Sequence, residues 1–111
     1  MSDMIRRIEI FVSLPKEYSK KYTDIKNNSI SLNVALTNNE LILHEVFVHK
    51  EKRGKGYWTN FIPLLEQFVI SHKLKLKIQS VLNRNFMINI LKRKQWKNYP
   101  NELSVMFAYN R

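Results

Sequence analysis

The chain's only two glycines lie in the run Arg53-Gly54-Lys55-Gly56, with Lys50 and Lys52 just ahead of them. Glycines allow a tight turn and a close approach of main chain to a ligand, and a turn that enters a helix leaves several amide N–H groups unpaired. Backed by the helix dipole, such amides form a seat for a diphosphate, and Arg53, Lys50, Lys52 and Lys55 add positive charge around it. The competing reading is a surface turn with solvated lysines. Position weighs against that, because the run joins an apolar segment at 41–48 to a segment at 57–72 whose apolar residues recur at helical spacing. Two polar residues, His44 and Glu45, interrupt the apolar segment and need an explanation. Either can accept a proton from a nucleophile. The alternatives are an ion pair or sheet-edge position for Glu45, and a satisfied core histidine for His44 on the opposite face.

The surrounding elements follow from hydrophobic period. Ile8, Ile10, Val12 and Leu14 alternate, which predicts a strand over 8–14; Pro15 then opens a short helix over 16–26, and Asn27-Asn28 reads as a turn. Ile30, Leu32, Val34 and Leu36 predict a strand over 29–37, turned by Asn38-Asn39 into a second strand over 41–48 that is apolar on both faces and so belongs in the middle of a sheet. Trp58, Phe61, Ile62, Leu65, Phe68 and Val69 predict a helix over 57–72, kinked or distorted by Pro63. Leu74, Leu76 and Ile78 alternate with lysines as a strand; a helix over 84–94 follows, with Asn83 as cap and Met87, Ile90 and Leu91 inward. Pro100 marks a turn into a final strand over 103–109. Strand, glycine loop, helix, strand and helix make a β-α-β-α unit, whose crossover requires its two strands to be parallel.

The run Val46-Phe47-Val48-His49-Lys50-Glu51-Lys52-Arg53-Gly54-Lys55-Gly56 resembles the acyl-CoA motif of the GNAT superfamily, in which a strand ending in valine leads to Arg/Gln-x-x-Gly-x-Gly/Ala. The likeness spans roughly 41–96, about half the chain. It implies a GNAT-like α/β (α+β) fold in a short version: a mixed, mostly antiparallel sheet around the parallel β-α-β-α unit. It implies acetyl-CoA as cosubstrate, with its diphosphate on Arg53, Gly54, Lys55, Gly56, Tyr57 and Trp58. The pantetheine arm would pair with the main chain of Val46, Phe47 and Val48 as though it were another strand, and the same groups would polarise the thioester carbonyl. Family members carry an asparagine at the head of the next helix, here Asn83 or Asn85, for which helix capping is the alternative role. They end that helix in Gly-Phe, where this chain has Gln95-Trp96. Trp58 replaces the usual glycine or alanine. The tyrosine that protonates the leaving thiolate, five residues before the phenylalanine position, is replaced by Leu91. Tyr57, Tyr99 and Tyr109 are then the candidates by chemistry, and Glu45 is the first candidate for the base.

Length and charge bound the rest. A chain of 111 residues with 44% apolar content fits one globular domain. Without cysteine it has no disulfide, thiolate metal site or cysteine nucleophile. No apolar run approaches the ~20 residues of a membrane span, so the expected location is the cytoplasm, with no membrane partner. Nineteen Lys and Arg against nine Asp and Glu, a net charge of +10, favour anionic partners. Lys92, Arg93, Lys94 and Lys97, with Lys75 and Lys77, form a second basic cluster that is either a nucleic-acid or acidic-protein surface or a solvated helix face. Two functions are therefore expected: acetyl transfer to an amine, or a GNAT-like module without turnover that binds nucleic acid or an acidic protein. The helical region at 16–26 is short for the family and leaves the acceptor side open, which suits a protein lysine or a nucleic-acid amine. Oligomeric state is left open.

Overall fold

The computed structural model describes residues 2–79, 81, 84–99 and 102–109, so the expected Asn83 cap and the Pro100 turn lie outside the described residues. The chain opens with a helix, α1 (Ser2–Val12), where alternation predicts a strand. Met4, Ile8 and Phe11 recur at helical spacing and are buried, whereas Ile10 and Leu14, half of the alternating set, are 58% and 42% exposed. A short apolar stretch satisfies both periods, and the helical stripe wins because Met4 and Phe11 extend it while alternation would leave Phe11 outside. After Pro15, α2 (Lys16–Ser19) is a single turn rather than a helix reaching residue 26. The rest of that segment is an edge strand, β1 (Thr23–Lys26), in which only Ile25 is buried.

β2 (Ile30–Thr37) and β3 (Glu40–Val48) form the expected hairpin. Asn38 and Asn39, at φ 50° and 62°, supply the left-handed pair that a tight two-residue turn requires. Asn27 shapes the preceding turn, its Oδ1 accepting the amides of Ser29 and Ile30. A 3-10 turn (Lys50–Lys52) and the glycine loop lead to α3 (Tyr57–Ser71), which continues through Pro63. α3 is the crossover to β4 (Lys75–Ile78), parallel to β3 from the pair Glu40–Lys75 to the pair Leu43–Ile78.

α4 (Arg84–Leu91) stops short of residue 94, and Leu91 is 36% exposed rather than inward, while Ile90 is buried. The chain then reverses at Gln95, φ 71°, into β5 (Trp96–Asn98), a strand that hydrophobic period does not reveal. β6 (Val105–Phe107) occupies only the middle of the expected strand over 103–109. The sheet order is β1-β2-β3-β4-β6-β5, antiparallel except at β3–β4, with β3 in its interior as expected. Met4, Ile8 and Phe11 of α1, Phe61, Leu65 and Val69 of α3, and Leu41, Leu43, Leu76 and Ile78 of the sheet share one core. Glu66 ties α3 to the end of α4: it accepts two hydrogen bonds from Arg93, at 2.9 and 2.7 Å, and one from the indole N–H of Trp96 at 2.7 Å.

Candidate active site at the parting of two parallel strands

The site is made by what β3 does after Leu43. The pair Val34–Leu43 is followed by Asn33–Glu45, so His44 is an extra residue, a bulge in β3. Before the bulge, the Leu43 carbonyl faces β4 and accepts the amide of Gln79 at 2.8 Å. Beyond it the ladder pairs β3 with β2 alone, and opposed residues alternate between bonded and non-bonded pairs. The amide of His49 donates to the carbonyl of Ser29 at 2.9 Å, which makes Phe47–Ser31 and Glu45–Asn33 the bonded pairs. The main-chain groups of Val46 and Val48 therefore point away from β2, along the edge that β4 has vacated.

That edge borders a cleft of about 730 Å³ lined by Glu45, Val46, Phe47 and Val48 on one side and Ile78, Gln79, Val81 and Phe86 on the other, with Arg53 and Trp58 between them. Of the residues proposed from sequence, the structure brings together Glu45, Val46, Phe47, Val48, Arg53 and Trp58. Gly54, Lys55, Gly56 and Tyr57 form the turn that joins Arg53 to Trp58 and are not in the lining, and Asn85 is exposed on α4 outside it. Ile78, Gln79, Val81 and Phe86 were missed, because their place depends on how β4 and α4 lie against β3.

Gly54 and Gly56 both adopt left-handed backbone, φ 76° and 79°. Among the described residues no main-chain acceptor meets the amides of 54–59, and the first bond of α3 is Asn60 N to Gly56 O at 2.9 Å. An added Cβ would meet nothing at Gly54 and only the Asn60 side-chain nitrogen, at 3.7 Å, at Gly56. The glycines are thus required by backbone conformation, and they leave open space over a row of unpaired donors. Arg53 lies back on the strand, its Nε donating to the Val48 carbonyl at 2.9 Å and its guanidinium 5.0 Å from the centre of the Phe47 ring. Trp58 turns from the loop into the wall of the cleft, its ring 4.9 Å from Phe86 and 5.5 Å from Phe61.

Tyr57, Tyr99 and Tyr109 are not in the lining of the cleft, and neither is His44. The Tyr109 hydroxyl donates to the carbonyls of Val69 and Leu74. Tyr99 lies under the Lys77 ammonium, 4.2 Å away, and burial, with Glu40 and Glu102, pushes its phenol up against the opposing effect of Lys77. Glu45 is exposed at the rim. Gln95 departs from the expected glycine in residue type but keeps a left-handed backbone, and Trp96 is buried against Phe107. The second basic cluster is partly consumed internally, since Arg93 pairs with Glu66 and Lys77 with Glu102.

No family profile matches the chain, and no curated protein matches it. Among solved structures it superposes on a chain from Klebsiella pneumoniae subsp. pneumoniae MGH 78578, named provisionally as an acyl-CoA N-acyltransferase, with a TM-score of 0.52 and 14% identity over 95% of this chain and 85% of that one. The likeness shows the fold: the mixed α/β arrangement expected from the sequence, with a six-stranded sheet and four α-helices among the described residues.

Proposed function

We propose that the chain transfers an acyl group, most simply acetyl, from coenzyme A to an amine. The observation that carries this is the parting of β3 from β4, which leaves a strand edge at 46–48 open to a cleft beside a left-handed glycine turn with unpaired amides. The diphosphate rests on the amides of 54–59, and the pantetheine amides pair with Val46 and Val48. Arg53 must release the Val48 carbonyl as the arm enters, and its guanidinium is then available to the phosphates. This places the thioester near Glu45 and Gln79, where the strands separate. The acceptor side carries little cover: α1 is committed to the core, α2 is a single turn, and Tyr18 and Tyr22 are 57% and 51% exposed. A large acceptor, a protein lysine or a nucleic-acid amine, fits that opening.

One observation favours a second reading, a module that binds without turnover: the tyrosine position is the exposed Leu91, and no sequence-proposed tyrosine reaches the cleft. Thermal melting with acetyl-CoA, followed by thiol release with an amine, tests both. A ligand at a hundred times its Kd adds about 2.7 kcal/mol to stability. Absence of a melting shift refutes the acyl-CoA reading; a shift without acetyl transfer selects the binding module.

A further inference from the structure

Behind the cleft wall at Gln79, three side chains from separate segments meet, and of the three only Gln79 is itself in the lining. Gln79 lines the cleft, and its main-chain amide makes the bond to Leu43 at which β3 and β4 part. Its side-chain oxygen lies 3.1 Å from Nδ1 of His44 and accepts the Tyr22 hydroxyl at 3.4 Å. The Tyr22 ring lies 5.2 Å from the imidazole, inclined at 53°. His44 is the bulged residue itself, so the irregularity that turns Val46 and Val48 towards the cleft also brings His44 to Gln79. The next two residues, Glu45 and Val46, line the cleft.

Resting on the acyl-CoA reading above, we propose that His44 is the base that takes the proton from the acceptor amine, with Gln79 and Tyr22 as its positioning residues. The Gln79 oxygen has no proton to give, so Nδ1 of His44 carries a hydrogen, and whenever the ring is neutral the lone pair is on Nε2. A neutral imidazole held in that tautomer is ready to accept a proton. In the step, the amine nitrogen bonds to the thioester carbonyl carbon and its N–H proton passes to Nε2. The C–S bond then breaks with its electron pair on sulfur, and the proton returns from the imidazolium to the thiolate, directly or through water. The products are the amide and the free coenzyme thiol, and no separate tyrosine acid is required, consistent with Leu91. Titratable neighbours of His44 include Tyr22, against its ring, and Glu45, next in the chain and opposite Asn33, whose side chain donates to Asp24; Lys77, on β4, is held by Glu102 and Tyr99.

The test compares the parent with His44→Gln, Glu45→Gln and Gln79→Met, reading the melting shift with acetyl-CoA and thiol release with poly-L-lysine or hydroxylamine. His44→Gln is expected to keep the melting shift and the KM for acetyl-CoA while kcat with poly-L-lysine falls about 100-fold or more, the usual worth of a general base. Gln79→Met is expected to shift the imidazole nitrogen NMR signals from the Nδ1–H towards the Nε2–H tautomer, which a merely structural contact would not do. The proposal is overturned if His44→Gln stays within about threefold of the parent. A larger loss in Glu45→Gln than in His44→Gln, an unmoved tautomer in Gln79→Met, or acetyl-CoA binding by the parent with neither amine acetylated would overturn it equally. A parent with no melting shift fails at the acyl-CoA reading itself, which is a separate result.

Discussion

Gly56 offers a perturbation in which stability and ligand binding separate. Its φ of 79° and ψ of 10° place it in the left-handed region immediately before α3, and a Cβ built there meets only the Asn60 side-chain nitrogen at 3.7 Å, an ordinary contact. Gly56→Ala therefore carries conformational strain without a clash, about 1–2 kcal/mol. For a domain of this size that lowers Tm by about 4–8 °C. Gly56→Asn should lose less, because asparagine tolerates the left-handed region. Both side chains would project over the unpaired amides, so both should diminish the stabilisation by acetyl-CoA, whatever their cost to the free protein. Scanning calorimetry of the parent and both variants, each with and without acetyl-CoA at about a hundred times the parent's Kd, resolves the two effects; the parent should gain about 10 °C. An alanine variant that melts with the parent refutes the strained cap. A variant that melts early but keeps the full ligand shift refutes the seating of the diphosphate on this turn.

Glu66→Ala leaves the buried indole N–H of Trp96 without its acceptor and frees Arg93, and is expected to lower stability by about 1–3 kcal/mol in urea denaturation. Burial pushes the Glu66 carboxyl up, but the hydrogen bonds from Arg93 and Trp96 and the Arg93 charge outweigh it and hold the group below its ordinary 4.5. A depressed folded value means that the contribution is complete above that ordinary value and is lost as pH falls through the lower folded one, so the stability gap between the parent and Glu66→Gln should narrow below about pH 4.5 and stay constant above it. Gln95→Gly replaces a residue at φ 71° with the one that accepts that conformation freely, and should raise Tm by a few degrees, about 1 kcal/mol, while Gln95→Val should lower it.

Local period told the truth wherever an element is long or carries special turn residues. Trp58, Phe61, Leu65, Phe68 and Val69 place α3 within one residue of its observed end, and Asn38-Asn39 places the hairpin, because both signals are local. It misled at the amino terminus, where Ile8, Ile10, Val12 and Leu14 fit a strand as well as a helix until the core selects Met4, Ile8 and Phe11. β5 was invisible because three residues, Trp96–Asn98, carry no period; what makes them a strand is the left-handed turn at Gln95 and pairing with β6.

The glycine turn and the strand ahead of it could be read from the chain alone, since left-handed backbone, unpaired helix-start amides and basic charge are properties of neighbouring residues. That Val46 and Val48 present their main chain to a cleft, and that His44 and Tyr22 meet Gln79 behind its wall, depends on a bulge and on the separation of two parallel strands. Those are relations between segments far apart in sequence, and only the packed tertiary structure decides them.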